Sequence, residues 1–164
     1  MKKAVIFTAG ACLGNPGPGG YGVVLQRGIR EKRWCGGAAR TTNPRMVLTA
    51  AIAGLSRLKT PCSVEVFSNS EYLIKGMTQW VHNWTQTGWK NSSGDTVSNR
   101  DLWKRLIHHS QKHYIRWTRT GKHDECQRKE SCDRIAERAA VYSNKARRWR
   151  RWGPVSPDCL PQPY

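Results

Sequence analysis

Carboxylates are scarce in this sequence. Eleven Asp and Glu stand against 28 Lys and Arg in 164 residues, a formal net charge of +17. Most cations therefore have no intramolecular partner, and the excess points to a polyanion, with nucleic acid ahead of an anionic membrane surface. No apolar run reaches the length of a membrane span and the N-terminus lacks a signal-peptide pattern, so a soluble intracellular chain is expected. The six cysteines contain no C-x-x-C pair, which argues for free thiols over a disulfide framework or zinc ribbon. His109 and His113 lie four apart without Cys or carboxylate companions, too few ligands for a zinc site. No internal repeat is present.

The chain opens on short β-branched and aromatic runs. Lys3 to Thr8, Tyr21 to Leu25 and Arg30 to Ala39 read as three strands joined by tight turns, the first turn dense in Gly and Pro. Thr41-Thr42-Asn43-Pro44 gives an N-cap and a proline in the first helical turn. Leu48, Ala51, Ile52, Leu55 and Leu58 then recur at helical spacing to about Lys59. Ser63 to Ser68 is a strand reached by a helical crossover, hence parallel to an earlier one. Glu71 to Met77 and Trp80 to Trp89 read as two short helices, followed by the polar loop Lys90 to Thr96. Leu102, Trp103, Leu106 and Ile107 mark a further helix, and Tyr114 to Trp117 a fifth strand. A last helix begins near Gln127 and is expected to continue through Arg147-Arg148-Trp149-Arg150-Arg151-Trp152 to Gly153-Pro154.

Several strings carry a specific resemblance: Cys12 to Gly22, Arg40-Thr41-Thr42-Asn43, Gln79-Trp80, His82-Asn83-Trp84, Gly88-Trp89-Lys90, Asp101-Leu102-Trp103 and Cys132-Asp133. Together with the element order they resemble type 1 ribonuclease H, over about Lys3 to Val141. The resemblance implies an α/β ribonuclease H-like fold, a five-stranded mixed sheet flanked by helices. It divides the chain into a domain over 1–142 and a basic Arg/Trp and Pro-rich segment over 143–164.

The family cuts the RNA strand of RNA–DNA hybrids with two magnesium ions held by four carboxylates. Matched string by string, the first carboxylate falls on Ala9, the second on Val47, the third on Asn69, and only the fourth, Asp133, is acidic. Two magnesium ions about 3.5–4 Å apart need oxygen ligands around both. The residues at these positions lead to the expectation of an inactive protein, with no cofactor, that binds hybrid or other double-stranded nucleic acid without cutting it. His123, at the place of the family's mobile histidine, reads as a relic or a phosphate contact. Two other readings remain: a protein-interaction module in a nucleoprotein assembly, and an active nuclease with acids such as Glu71, Asp124, Glu125 or Glu130 as replacement ligands.

For binding, the resemblance implies sugar contacts from Cys12, Asn15 and Asn43, with Glu71 beside the groove in place of a glutamine. It implies a DNA phosphate pocket from Arg40, Thr42 and Asn99. The region of the family's basic protrusion here carries Trp80, Trp84 and Trp89 with Lys90 and Arg100 nearby, residues able to stack on bases or contact phosphates, core packing being the leading role for Trp80. Arg147, Arg148, Trp149, Arg150, Arg151 and Trp152 form a basic aromatic patch suited to nucleic acid, with a protein partner or a membrane surface as alternatives. The expected location is cytoplasmic or nucleoid-associated.

Overall fold

The computed structural model describes residues 1–120 and 127–145. Its frame is a five-stranded sheet in the order β3-β2-β1-β4-β5. The strands are β1 (Lys2–Cys12), β2 (Gly17–Arg27), β3 (Arg30–Thr41), β4 (Cys62–Ser68) and β5 (Tyr114–Arg119). β1 to β3 form an antiparallel meander, while β4 pairs parallel to β1 and β5 parallel to β4. The sheet is mixed, as expected, because β4 and β5 are each reached through helices. The first three strands extend beyond the apolar runs that suggest them. β1 continues through Gly10-Ala11-Cys12 because those residues still find partners in Gly19 to Tyr21 of β2.

α1 (Asn43–Ser56) begins at the N-cap Thr42, whose Oγ1 accepts from the Arg45 backbone N–H at 3.4 Å. It ends at Ser56, short of the expected Lys59. Arg57 caps it, and the Leu58 N–H turns back to the Leu55 carbonyl at 3.0 Å. Its buried face, including Leu48, Ala51, Ile52 and Leu55, packs on Ile6, Val23 and Val66 of the sheet in the larger core. Gly76 lies within a helical run that never breaks: α2 (Glu71–Lys75) passes through a π-helical turn (Gly76–Trp80) into α3 (Val81–Gln86). The two separate helices expected here are thus one run with a bulge. A Cβ at Gly76 would sit 1.9 Å from the Trp103 ring, so glycine lets that buried indole seat under the bulge. α4 (Arg100–Ser110) completes this layer through Leu102, Trp103 and Leu106.

The other face is covered by α5 (Gln127–Lys145), which packs Cys132, Ile135, Ala136 and Ala139 on Phe7, Ala9, Val24 and Cys35. The helix continues past 142, and Ser143 is buried with its Oγ donating to the Ala139 carbonyl at 2.9 Å. The Arg147 to Trp152 patch, His123, Asp124 and Glu125 lie outside the described residues. No helix among the described residues is long and apolar enough to cross a membrane.

Candidate nucleic-acid interface

The C-terminal ends of β1 and β4, the end of β3 and the start of α1 meet at one end of the sheet. Ala9, in the middle of β1's pairing with β2, is buried against α5. One residue on, Gly10 brings β1 against α1: a Cβ there would lie 2.7 Å from the Val47 backbone N, a distance only glycine permits. Val47 is buried in the larger core, and Asn69 is exposed just past the end of β4.

Asp133 is fixed on α5 by its neighbour. The Cys132 thiol is fully buried and donates to the carbonyls of Phe7 at 3.2 Å and Gly22 at 3.0 Å, tying the helix to β1 and β2. Burial pushes that thiol far above its ordinary pKa, so it stays protonated as a donor. Asp133 itself accepts from the ammonium of Lys129, one turn earlier and only 4% exposed. In the sequence, Lys129 looks like one more surface cation. Its burial comes from the packing of α5 and was invisible to spacing.

The turn after β1 is bound into the start of α1. Asn15 Oδ1 accepts from the Asn43 backbone N–H at 3.2 Å, and the Leu13 N–H closes the turn on the Pro18 carbonyl at 2.7 Å. The Cys12 Sγ donates toward the Thr41 carbonyl at 3.4 Å and the Gly17 carbonyl at 3.5 Å. Desolvation raises this thiol's pKa, which keeps the donor proton in place. Cys12, Asn15, Thr42 and Asn43 are thus gathered at one edge, with Arg40 exposed at the end of β3 and without an ion-pair partner among the described residues.

Asn99, expected in the phosphate pocket, is held within the fold. It caps α4 in a left-handed conformation (φ 60°), and both ends of its amide are engaged. Its Nδ2 donates to the Tyr72 hydroxyl at 3.0 Å, and its Oδ1 accepts from Arg45 Nη1 at 3.2 Å. Arg45 also forks onto Asp101, at 3.0 and 2.8 Å. This bidentate pair lowers the Asp101 carboxyl pKa. Arg45 is the residue that sequence reasoning missed here. Its partners lie more than fifty positions away, and only an Arg in the first turn after a proline hinted at a role.

Trp80, Trp84 and Trp89 belong to one aromatic cluster. Trp103, fully buried, and Tyr72 anchor an aromatic cluster in which Trp84 packs 5.4 Å from Trp103, 5.8 Å from Trp80 and 6.0 Å from Trp89. Trp89 is buried in this cluster with Lys104 over its ring, so it has no free face for a base. Trp80 and Trp84 are half-buried. Lys90 and Arg100 are exposed at the ends of the loop that follows, and Glu71 is exposed but paired with Lys75 and with Arg119 at 3.8 Å. The Glu71 charge is therefore offset within α2 and β5.

The RNase H family model matches residues 1–141, and the chain belongs to that family. A ribonuclease H of Erythrobacter litoralis is 49% identical over 140 residues, covering 85% of this chain and 97% of that protein. One of Escherichia coli is 46% identical over 141 residues, covering 86% and 91%. Among solved structures, a type 1 RNase H with the type 2 active-site motif superposes with a TM-score of 0.78 at 27% identity, covering 87% of this chain and 74% of that one. A compost-derived RNase H solved in complex with an RNA/DNA hybrid shares the fold at a TM-score of 0.60 and 22% identity, covering 84% and 99%.

These relatives carry the name of an enzyme. That finding overturns the expectation of a protein that binds without cutting and needs no cofactor, which rested on four positions alone. The donor chemistry at those positions is nevertheless distinct. Ala9 and Val47 offer no oxygen and Asn69 one neutral amide oxygen, while Asp133 is shared with Lys129. Such a set does not fit a pair of magnesium ions. Among the described residues no other group of three or more His, Cys, Asp or Glu is arranged to hold a metal.

Proposed function

We propose that this chain works on RNA–DNA hybrids, holding the duplex across the edge formed by Cys12, Asn15, Arg40, Thr42 and Asn43. The observation that carries this reading is the bond between Asn15 and the Asn43 N–H, which sets the turn after β1 beside the start of α1. Polar groups at that edge suit 2′-hydroxyl and phosphate contacts, and the Arg40 guanidinium, unpaired among the described residues, suits a forked bond to a phosphate of the DNA strand. The net charge of +17 supplies the long-range attraction. The segment from Arg147 to Trp152 adds phosphate contacts and stacking to the same duplex, and a cytoplasmic or nucleoid-associated location goes with that ligand.

The names of the relatives support cutting of the RNA strand as the outcome of this binding. Cutting by this chain has to draw on carboxylates beyond the family's first three positions. A hybrid labelled on its RNA strand, incubated with magnesium beside a duplex DNA of the same sequence, tests both parts. The expected result is preferential retention of the hybrid, with RNA-strand products that depend on Asp133. Equal retention of hybrid and duplex DNA contradicts the binding reading, and RNA products unchanged in Asp133→Asn move the chemistry away from this edge.

A further inference from the structure

The opposite end of the sheet carries a second basic feature. Residues of β1, β2, β3 and the segment that follows α1 line a hollow of about 1000 Å³. Strand alternation puts Arg30, Lys32 and Trp34 on the same face of β3. Arg27 stands directly across from Arg30, and Leu25 from Lys32. The start of β1 adds Lys2 and Lys3, and the segment leaving α1 adds Arg57 and Lys59. Among the described residues no carboxylate lines the hollow. Of its cations, Arg33 alone has an ion-pair partner among the described residues, Glu31 at 2.7 Å.

This concentration exceeds what the fold requires. Arg57 and Lys59 follow the end of α1, where positive charge complements the helix dipole. The others come from strands, where like charges directly opposite, as at Arg27 and Arg30, are destabilising. Arg57 lies over the Trp34 ring, 5.3 Å from its centroid, which fixes one wall. The Trp34 indole N–H is buried with no hydrogen-bond partner among the described residues, although Trp34 lines the hollow.

We infer that this hollow is a second polyanion site, which takes a run of consecutive phosphates from either a nucleic-acid strand or a free polyphosphate. Lys3 and Ala9 are six residues apart on β1, roughly 20 Å at the rise of an extended strand. A ligand here is therefore separate from a duplex held at the far edge, and the two can be occupied together. Single strands displaced from a hybrid, or the overhanging end of a bound duplex, have the required chemistry.

The experiment uses the full chain, a fluorescein-labelled eight-nucleotide oligo-dT as the strand probe and inorganic tripolyphosphate as the free polyphosphate. The variant Arg30→Gln/Lys32→Gln/Arg57→Gln changes exposed side chains only. A second variant, Lys2→Gln/Lys3→Gln, keeps the test available should the first fold poorly. Loss of about three phosphate contacts lowers the log–log salt slope for the strand by about 2 and its affinity at least about tenfold at low salt. Hybrid retention at the far edge should change less than about twofold. Loss of the strand arm alone assigns the site to nucleic acid, and loss of the tripolyphosphate arm as well assigns it to the phosphate chain itself. Unchanged affinity for both probes, or a parallel loss of hybrid binding, overturns the inference.

Discussion

Lys129, nearly buried in the first half of α5, donates its ammonium to the Asp133 carboxylate one turn on. The two ends of the pair are unequal, because the Lys129 side chain is 5% exposed and that of Asp133 41%. Removing the carboxylate strands a buried cation, whereas removing the cation leaves a carboxylate that water can still reach. Asp133→Asn should therefore cost about 1–2 kcal/mol, below the cost of breaking a fully buried pair, while Lys129→Met should stay within about 1 kcal/mol of the parent. Urea unfolding of both variants checks this. A larger loss in Lys129→Met would mean that the ammonium has a further partner.

The Tyr72 hydroxyl accepts from both Asn99 Nδ2 and Trp103 Nε1, at 3.0 and 3.1 Å. Tyr72→Phe keeps the ring in the aromatic cluster but leaves the buried indole N–H without an acceptor. It should cost about 1–3 kcal/mol. Because Asn99 also bonds Arg45, the start of α1 loosens with it, and hybrid affinity should fall as well. Thermal unfolding and a binding titration read the two effects separately, and a silent substitution would remove this network from the account.

His113 Nδ1 accepts the Cys62 backbone N–H at 3.2 Å, a bond that requires an unprotonated nitrogen. Burial lowers the His113 pKa below its ordinary 6.5, and burial with neighbouring positive charge does the same for His109. The unfolded chain therefore takes up these protons first as pH falls. Stability is full above pH 6.5 and is lost as pH falls through the depressed values. His113→Gln should flatten the loss between neutral and mildly acidic pH, measured as unfolding free energy across that range. An unchanged slope would assign the effect to other groups.

The order of elements was legible because each rested on a local pattern: the apolar runs of β1 and β4, Thr42 before Pro44, and the helical recurrence from Leu48 to Leu55. What local patterns could not show was decided by packing. Trp89 carries the same aromatic signal as a stacking residue, yet it is buried because Trp84 and Lys104 close over it. Arg45 and Lys129 look like ordinary cations until tertiary contacts supply Asp101 and Asp133 as partners. The basic hollow escaped notice for the same reason, since its residues come from three strands and the end of a helix. Replacement of three carboxylates was plain in the sequence, but reading inactivity from it went beyond what the relatives support.

The contribution of those three positions can be measured directly. Ala9→Asp/Val47→Glu/Asn69→Asp places carboxylates beside Asp133 where two-metal chemistry uses them. Ala9 and Val47 are only 4% and 6% exposed, so the triple variant should be less stable than the parent in chelator and regain stability with magnesium. Its RNA-strand cutting should exceed the parent's at least about 100-fold, roughly 3 kcal/mol of barrier. Equal rates in the two proteins would show that carboxylates at these three positions add nothing to the cutting.

The most direct test of the account is equilibrium binding of the full chain to an RNA–DNA hybrid and to duplex DNA of the same sequence and length, in chelator, with Arg40→Gln measured in parallel. The account predicts that the hybrid binds about tenfold tighter, or 1.4 kcal/mol, and that Arg40→Gln weakens the hybrid while lowering the salt slope by about 1. Equal affinity for hybrid and duplex DNA, with Arg40→Gln indistinguishable from the parent, would contradict it.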